Sequence, residues 1–329
     1  MDTMARSSGR SGRTGTGAKG RARLRRAAVA TAALAVAAPL TLAASGDAGA
    51  AETAWAAGMR SIVFARYDTA APVEDLYTIS PLGGTPVQLT HTPTVSDVMP
   101  SWSPDRKRVA FLRYGSDGAI DGIWTMAITG GDLKPVPGTQ GASDPAWSPD
   151  GTRIAYSKPV GSEREIYVTD LDGSPNTRLT TTAEDEYHPT WSPDGGQLAY
   201  SRTDGAGHSR LMRIQLSTLA QTPVTLAGFQ DWTPDWSRGN QIAFSRVDST
   251  GFTHLFAVLP DGSGIHRITS ARANDKSPSW SPDGRRLVFT RGGTDDADPE
   301  HLFVVRGDGT ALLQLTKTDS HDLEADWRP

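Results

Sequence analysis

Carboxylates recur at a constant distance from tryptophan. Asp97, Glu186, Asp231, Asp275 and Asp322 each lie five residues ahead of a Trp. A basic residue follows the same Trp by ten or eleven positions: Arg113, Lys158, Arg202, Arg246 and Arg291, with Arg66 in the equivalent place near the start of the pattern. The repeat around Trp147 is one residue shorter here and offers Asp144 instead. Carboxylates gathered in one ring could hold a cation or a basic peptide. The same acids matched one to one with bases are cross-strand ion pairs that cancel each other's field. The matched spacing favours the pairs, and solvent-exposed pairs contribute about 0–1 kcal/mol each.

Other side chains depart from the repeat and so could carry specificity. Tyr187-His188 and Trp232-Thr233 precede two of the motif tryptophans where other repeats hold Val98-Met99, Lys276-Ser277 and Leu323-Glu324. If these pairs occupy loops that enter strands, Tyr187, His188 and Trp232 form a recognition patch for a peptide or a sugar. The run Thr294 to Glu300 is acidic but lacks the glycine-turned spacing of a calcium loop, so it reads as a solvated loop. The seven histidines form no H-x-x-x-H or H-E-x-x-H pattern, and there is no cysteine. No metal site, no cofactor and no catalytic constellation is expected.

The elements that must position these residues repeat as well. PSWSPD, PAWSPD, PTWSPD and PSWSPD end at Asp105, Asp150, Asp194 and Asp283, with degenerate copies around Trp236 and Trp327. Trp102, Trp147, Trp191, Trp236, Trp280 and Trp327 are therefore spaced by 45, 44, 45, 44 and 47 residues. After each Ser-Pro-Asp-Gly turn comes a short β-branched or aromatic run, such as Ile154-Ala155-Tyr156. A second run and a third, ending in Leu-Thr or its equivalent, complete four strands per unit. Such a period means stacked supersecondary units. Residues 58–329 accommodate six, so the fold expected is all-β: a six-bladed β-propeller of four-stranded antiparallel blades. The chain opens on a second strand and ends on an inner one, so the C-terminal strand should join the N-terminal three and close the ring. One Trp per blade implies packing between blades.

Repeats of the form P-x-W-S-P-D-G resemble those of TolB-like, WD40-like propellers of bacterial envelopes, over Gly58 to Pro329. Related blades occur in prolyl oligopeptidase-like enzymes. The resemblance implies the fold and an envelope protein or peptide as partner. It is confined to the propeller: TolB carries an α/β domain ahead of it, and the peptidases a hydrolase domain whose G-x-S-x-G elbow is not found in this sequence.

Charge divides the chain. Residues 1–50 hold eight basic and two acidic groups; the rest hold 25 basic and 35 acidic, a net −10 that argues against nucleic acid. A basic stretch 1–26, an apolar stretch 27–44 and Ala48-Gly49-Ala50 have the layout of a secretory leader cleaved near Ala50, ahead of a short linker 51–57. A retained anchor and the choice between general and twin-arginine export stay open. The expectation is an exported, non-catalytic, monomeric propeller in the periplasm, cell envelope or extracellular space. It would bind a protein or peptide on its loop-rich rim, with no membrane span after cleavage. The alternatives are a glycan or cell-wall binder and a carbohydrate-active lyase or hydrolase.

Overall fold

The computed structural model describes residues 62–68, 71–293 and 298–327. The leader, the linker 51–57 and positions 294–297 of the acidic loop lie outside the described residues. Twenty-four strands, and no helix among the described residues, form six four-stranded antiparallel sheets. Numbering blades in chain order, blade I takes its second, third and outer strands from Ile62–Asp68, Ala71–Ile79 and Val87–Gln88, and its inner strand from His321–Trp327. Inner strands of blades II to VI are Ser96–Trp102, Ser143–Trp147, Asp185–Trp191, Asp231–Trp236 and Asn274–Trp280. The ring closes as Ile62 pairs with Trp327 and Arg66 with Asp322. Closure removes the open inner edge that blade I would otherwise present.

Local chemistry explains each element. In the turn after the Trp, the Ser103 hydroxyl donates to Asp105 Oδ1 at 2.6 Å while accepting from the Arg108 N–H at 2.9 Å. The same bonds recur at Ser148, Ser192 and Ser281. The position after Asp needs positive φ, supplied by Gly151 (φ 74°), Gly195 and Gly284; Arg106 adopts it in blade II. The Thr that ends each Leu-Thr is just as constrained. Thr90, Thr180, Thr225, Thr269 and Thr316 each accept the N–H of a leucine or isoleucine in the third strand.

Packing lies between blades. The second strands are buried on both faces, which is why they read as continuous apolar runs. Ile62 and Phe64, with Trp327 of their own blade, pack on Val288 and Leu302 of blade VI, whereas Val63 and Ala65 face blade II with Trp102 and Val109. Each of six apolar clusters straddles one junction, and each contains one motif Trp.

The closing strand is thus as integral as any interior one. Trp327→Ala should lower unfolding free energy by about 3–5 kcal/mol, as Trp191→Ala should. Denaturant unfolding reads this, and a loss below about 1 kcal/mol at Trp327 alone would mean that closure contributes little.

Candidate functional site

Every inner strand breaks register three residues ahead of its Trp. Met99, Asp144, His188, Thr233, Ser277 and Glu324 have φ between 49° and 57°, and ladder pairing shifts across each of them. Pro follows in five blades; it has no N–H to donate, so the ladder is free to bulge there. Non-glycine residues in this region are strained, and strain of this kind gathers at functional sites. All six line one cavity of about 180 Å³ at the mouth of the central channel. Tyr187-His188 and Trp232-Thr233, expected in loops, therefore lie within strands, because the bulge is absorbed without ending the ladder.

One step further in, the residue before each Trp faces the lumen: Ser101, Ala146, Thr190, Asp235, Ser279 and Asp326. Five of these latch the next blade by accepting the N–H of its Trp. The distances are 3.3 Å for Ser101 and Trp147, 3.2 Å for Thr190 and Trp236, 2.6 Å for Asp235 and Trp280, 3.0 Å for Ser279 and Trp327, and 2.7 Å for Asp326 and Trp102. Ala146 has no such group; there the Trp191 indole donates to the Ala146 carbonyl instead. Burial pushes the Asp235 carboxyl up to about 6 and Asp326 up to about 7, against the bonds that favour ionisation. Beyond these latches the channel widens to a 490 Å³ funnel edged by the six tryptophans.

The repeating acids are elsewhere. Asp97, Glu186, Asp231, Asp275 and Asp322 are wholly inaccessible. Each is held by its own arginine: Arg113 at 2.7 Å, Arg202 at 2.7 Å, Arg246 at 2.6 Å, Arg291 at 2.5 Å and Arg66 at 2.6 Å. Their environment is dry rather than exposed, because the neighbouring blade covers them. Desolvation raises the Asp97 carboxyl even against the Arg113 bonds. None of the five carboxylates lines the mouth cavity.

Blade III breaks the pattern. The place of the acid is taken by buried Ala142, and Lys158 turns its ammonium to the Gly138 carbonyl at 2.8 Å. Asp144 does not pair with Lys158; it sits in the mouth ring. Ser157 donates to its Oδ2 at 2.5 Å, and His188 Nε2 lies 3.6 Å from Oδ1. Burial alone would raise this carboxyl, but His188, Ser157, Arg164 and Ser143 hold it below the ordinary range. The serines contact the carboxylate and not the imidazole, so no nucleophile–base pair forms here.

Tyr187 and Trp232 do not converge. The Arg164 guanidinium lies over the Tyr187 ring, 5.5 Å from its centroid, and the Trp232 indole donates to Ser209 at 2.5 Å. Each aromatic is clamped to the blade before its own, and only His188 of the three lines the cavity. The mouth carboxylate Glu324, with Asp235 and Asp326 behind it, was passed over by sequence reasoning, and Asp144 was counted there with the paired acids and not with the mouth. Their signal was present: positions one and three before the Trp vary in chemistry while the position between them is Pro in five of the six repeats.

Comparison with known proteins agrees with the propeller fold. Residues 60–329 match the model of the TolB beta propeller domain. No curated protein matches the sequence. Among solved structures, TolB from Acinetobacter baumannii superimposes with a TM-score of 0.70 at 20% identity, over 82% of this chain and 66% of that one. This chain thus spans about two thirds of that relative's length. A putative TolB from Agrobacterium tumefaciens gives 0.64 at 21% identity, over 83% of this chain and all of its own. A chain of a nidogen/laminin complex gives 0.65 at 10% identity, over 82% and 98%. At these identities the likeness shows fold.

Two outcomes follow from the electrostatics. Asp97→Ala, which leaves Arg113 buried without its partner, should cost about 3–5 kcal/mol in denaturant unfolding, well above the exposed-pair range. For Asp326 the folded carboxyl titrates higher than the unfolded one. Its contribution is therefore fully present below about pH 4 and is lost as pH rises to about 7. The drop in melting temperature from pH 5 to pH 8 should shrink by at least about 3 °C in Asp326→Asn; equal drops in the two proteins would refute the assignment.

Proposed function

The chain belongs to the TolB β-propeller family, and from that premise we propose that it is an exported, non-catalytic propeller that captures a protein or peptide partner. Capture takes place on the face where the inner strands begin. A single observation carries the reading: six strained, non-repeating residues surround one cavity, and two of them, Asp144 and Glu324, are carboxylates. Asp235 and Asp326 stand behind them in the same channel. A lysine or arginine side chain, or a free amino terminus, has the charge and width to enter. His188 lines the same cavity, its Nε2 3.6 Å from Asp144 Oδ1.

Export rests on the leader-like sequence 1–50, and the acidic body fits a partner that presents basic residues. Among the described residues no helix is long and apolar enough to cross a membrane. The nidogen/laminin match shows a fold of this kind in a complex between proteins. A second reading, a carbohydrate-active lyase or hydrolase, draws on the raised carboxyls of Asp235 and Asp326. Their bonds to the next blade's backbone already give those residues a structural role.

The test is capture of envelope proteins by wild type and by the double variant Asp144→Asn/Glu324→Gln. A partner should be retained by wild type and weakened by salt, with affinity about tenfold lower for the variant, or 1.4 kcal/mol. Retention indifferent to both charges and salt would remove the channel mouth as the site. Turnover of a uronate polymer that is lost in Asp235→Asn/Asp326→Asn would favour the enzyme instead.

A further inference from the structure

Two carboxyl groups meet inside the junction between blades III and IV. Glu165, in the third strand of blade III (Glu163–Asp170), and Glu186, in the inner strand of blade IV, are both wholly inaccessible. Thr182 in the connecting segment touches both: its N–H donates to Glu165 Oε1 at 3.0 Å, and its hydroxyl donates to Glu186 Oε1 at 3.0 Å. The cations converge on the same atoms. Arg178 Nη2 lies 2.5 Å from Glu165 Oε1, and Arg202 Nε lies 2.9 Å from Glu186 Oε1. Both Oε2 atoms are left buried with no hydrogen-bond partner.

The two side chains interact, and their orphan acceptors cannot satisfy each other while both groups are ionised. One proton on either Oε2 makes that oxygen a donor and satisfies both. The other charged and polar groups around the pair do not supply that donor. Arg202 also reaches Tyr200 and Gln221 and lies 3.6 Å from Glu184. Arg210 stands opposite Arg202, and Lys158 opposite Glu165, with its ammonium on the Gly138 carbonyl. The Thr180 hydroxyl accepts the Ile166 N–H, and its own proton favours the ionised form of Glu186 without reaching Oε2.

The corresponding place in other junctions is filled differently. Asp75 at I/II is surrounded by donors from Gln88, Thr90 and Thr92. II/III has Gly122 beside Thr139; IV/V has Arg210; V/VI and VI/I have His254 and His301, opposite Arg246 and Arg291.

We propose that Glu165 and Glu186 share one proton across the III/IV junction, and that this junction opens more readily as rising pH removes it. On release the O–H bond breaks, its electron pair stays on the carboxylate, and the proton passes to water. Burial, with Glu165 adding to it against Thr180 and Arg202, pushes the Glu186 carboxyl up to about 7. In an opened junction the carboxyl titrates near 4.3. Between these limits opening releases a proton, so the opening equilibrium grows about tenfold per pH unit, then levels above about pH 7. The strand that carries Glu186 also carries His188, so the device adjoins the channel mouth.

Hydrogen exchange of the full chain from pH 5 to pH 8, corrected for intrinsic exchange, tests this. Amides of 163–170 and 185–191 should show the tenfold-per-unit rise and the plateau, while those at the II/III junction should not. Glu186→Gln and Glu165→Gln, which supply an amide donor, should flatten the profile. In infrared spectra at pH 6 each should also lack one protonated-carboxyl band present in wild type. Equal profiles in wild type and variants, or an unchanged band, would overturn the proposal. If neither variant folds, the wild-type comparison decides: identical pH profiles at III/IV and II/III would sink it.

Discussion

One contact recurs around the lumen and everything else is arranged about it: a side chain just ahead of each tryptophan accepts that tryptophan's counterpart N–H in the next blade. Five of six junctions use it. An inner strand at the channel has one edge without a ladder partner, and its N–H groups must find acceptors or water. The latch supplies the acceptor from the neighbouring blade, so backbone satisfaction and ring closure become one constraint. The indoles then lie at the junctions, where six apolar clusters form around them.

The same constraint explains why carboxylates appear in the channel. Ser, Thr and Asp can all accept the Trp N–H, so the latch tolerates variation that leaves the scaffold unchanged. Blades V and I use Asp235 and Asp326, which brings two acids into a narrow, poorly solvated space and raises both. Three residues before the Trp, the bulge likewise demands a backbone conformation and not a particular side chain, and six different residues fill it. Specificity can thus be written on a ring whose geometry is held by its neighbours.

Burial changed the meaning of the repeating acid–base pairs. Asp97 and Arg113 stand opposite each other just as their distances from the turn imply. Their surroundings are supplied by the adjacent blade, which no spacing within one repeat reports. Surface pairs of modest worth become desolvated pairs whose two members depend on each other. Asp144 shows the converse: proximity in sequence suggested a partner for Lys158, but the bulge carries it into the mouth ring, facing His188.

The amino-acid sequence by itself determined the repeat, the four strands of each blade, the number of blades and the closure of the ring. All of these follow from local turn chemistry and from a tryptophan period that counts packing units. Tertiary structure decided which side chains look into the channel, which acids are dry, and which groups meet across a junction, such as Glu165 with Glu186. Those relations join residues in different repeats, through a bulge and a ring of latches. Periodicity along the chain specifies each blade's hydrogen bonds, but only the assembled ring brings one blade's edge against the next.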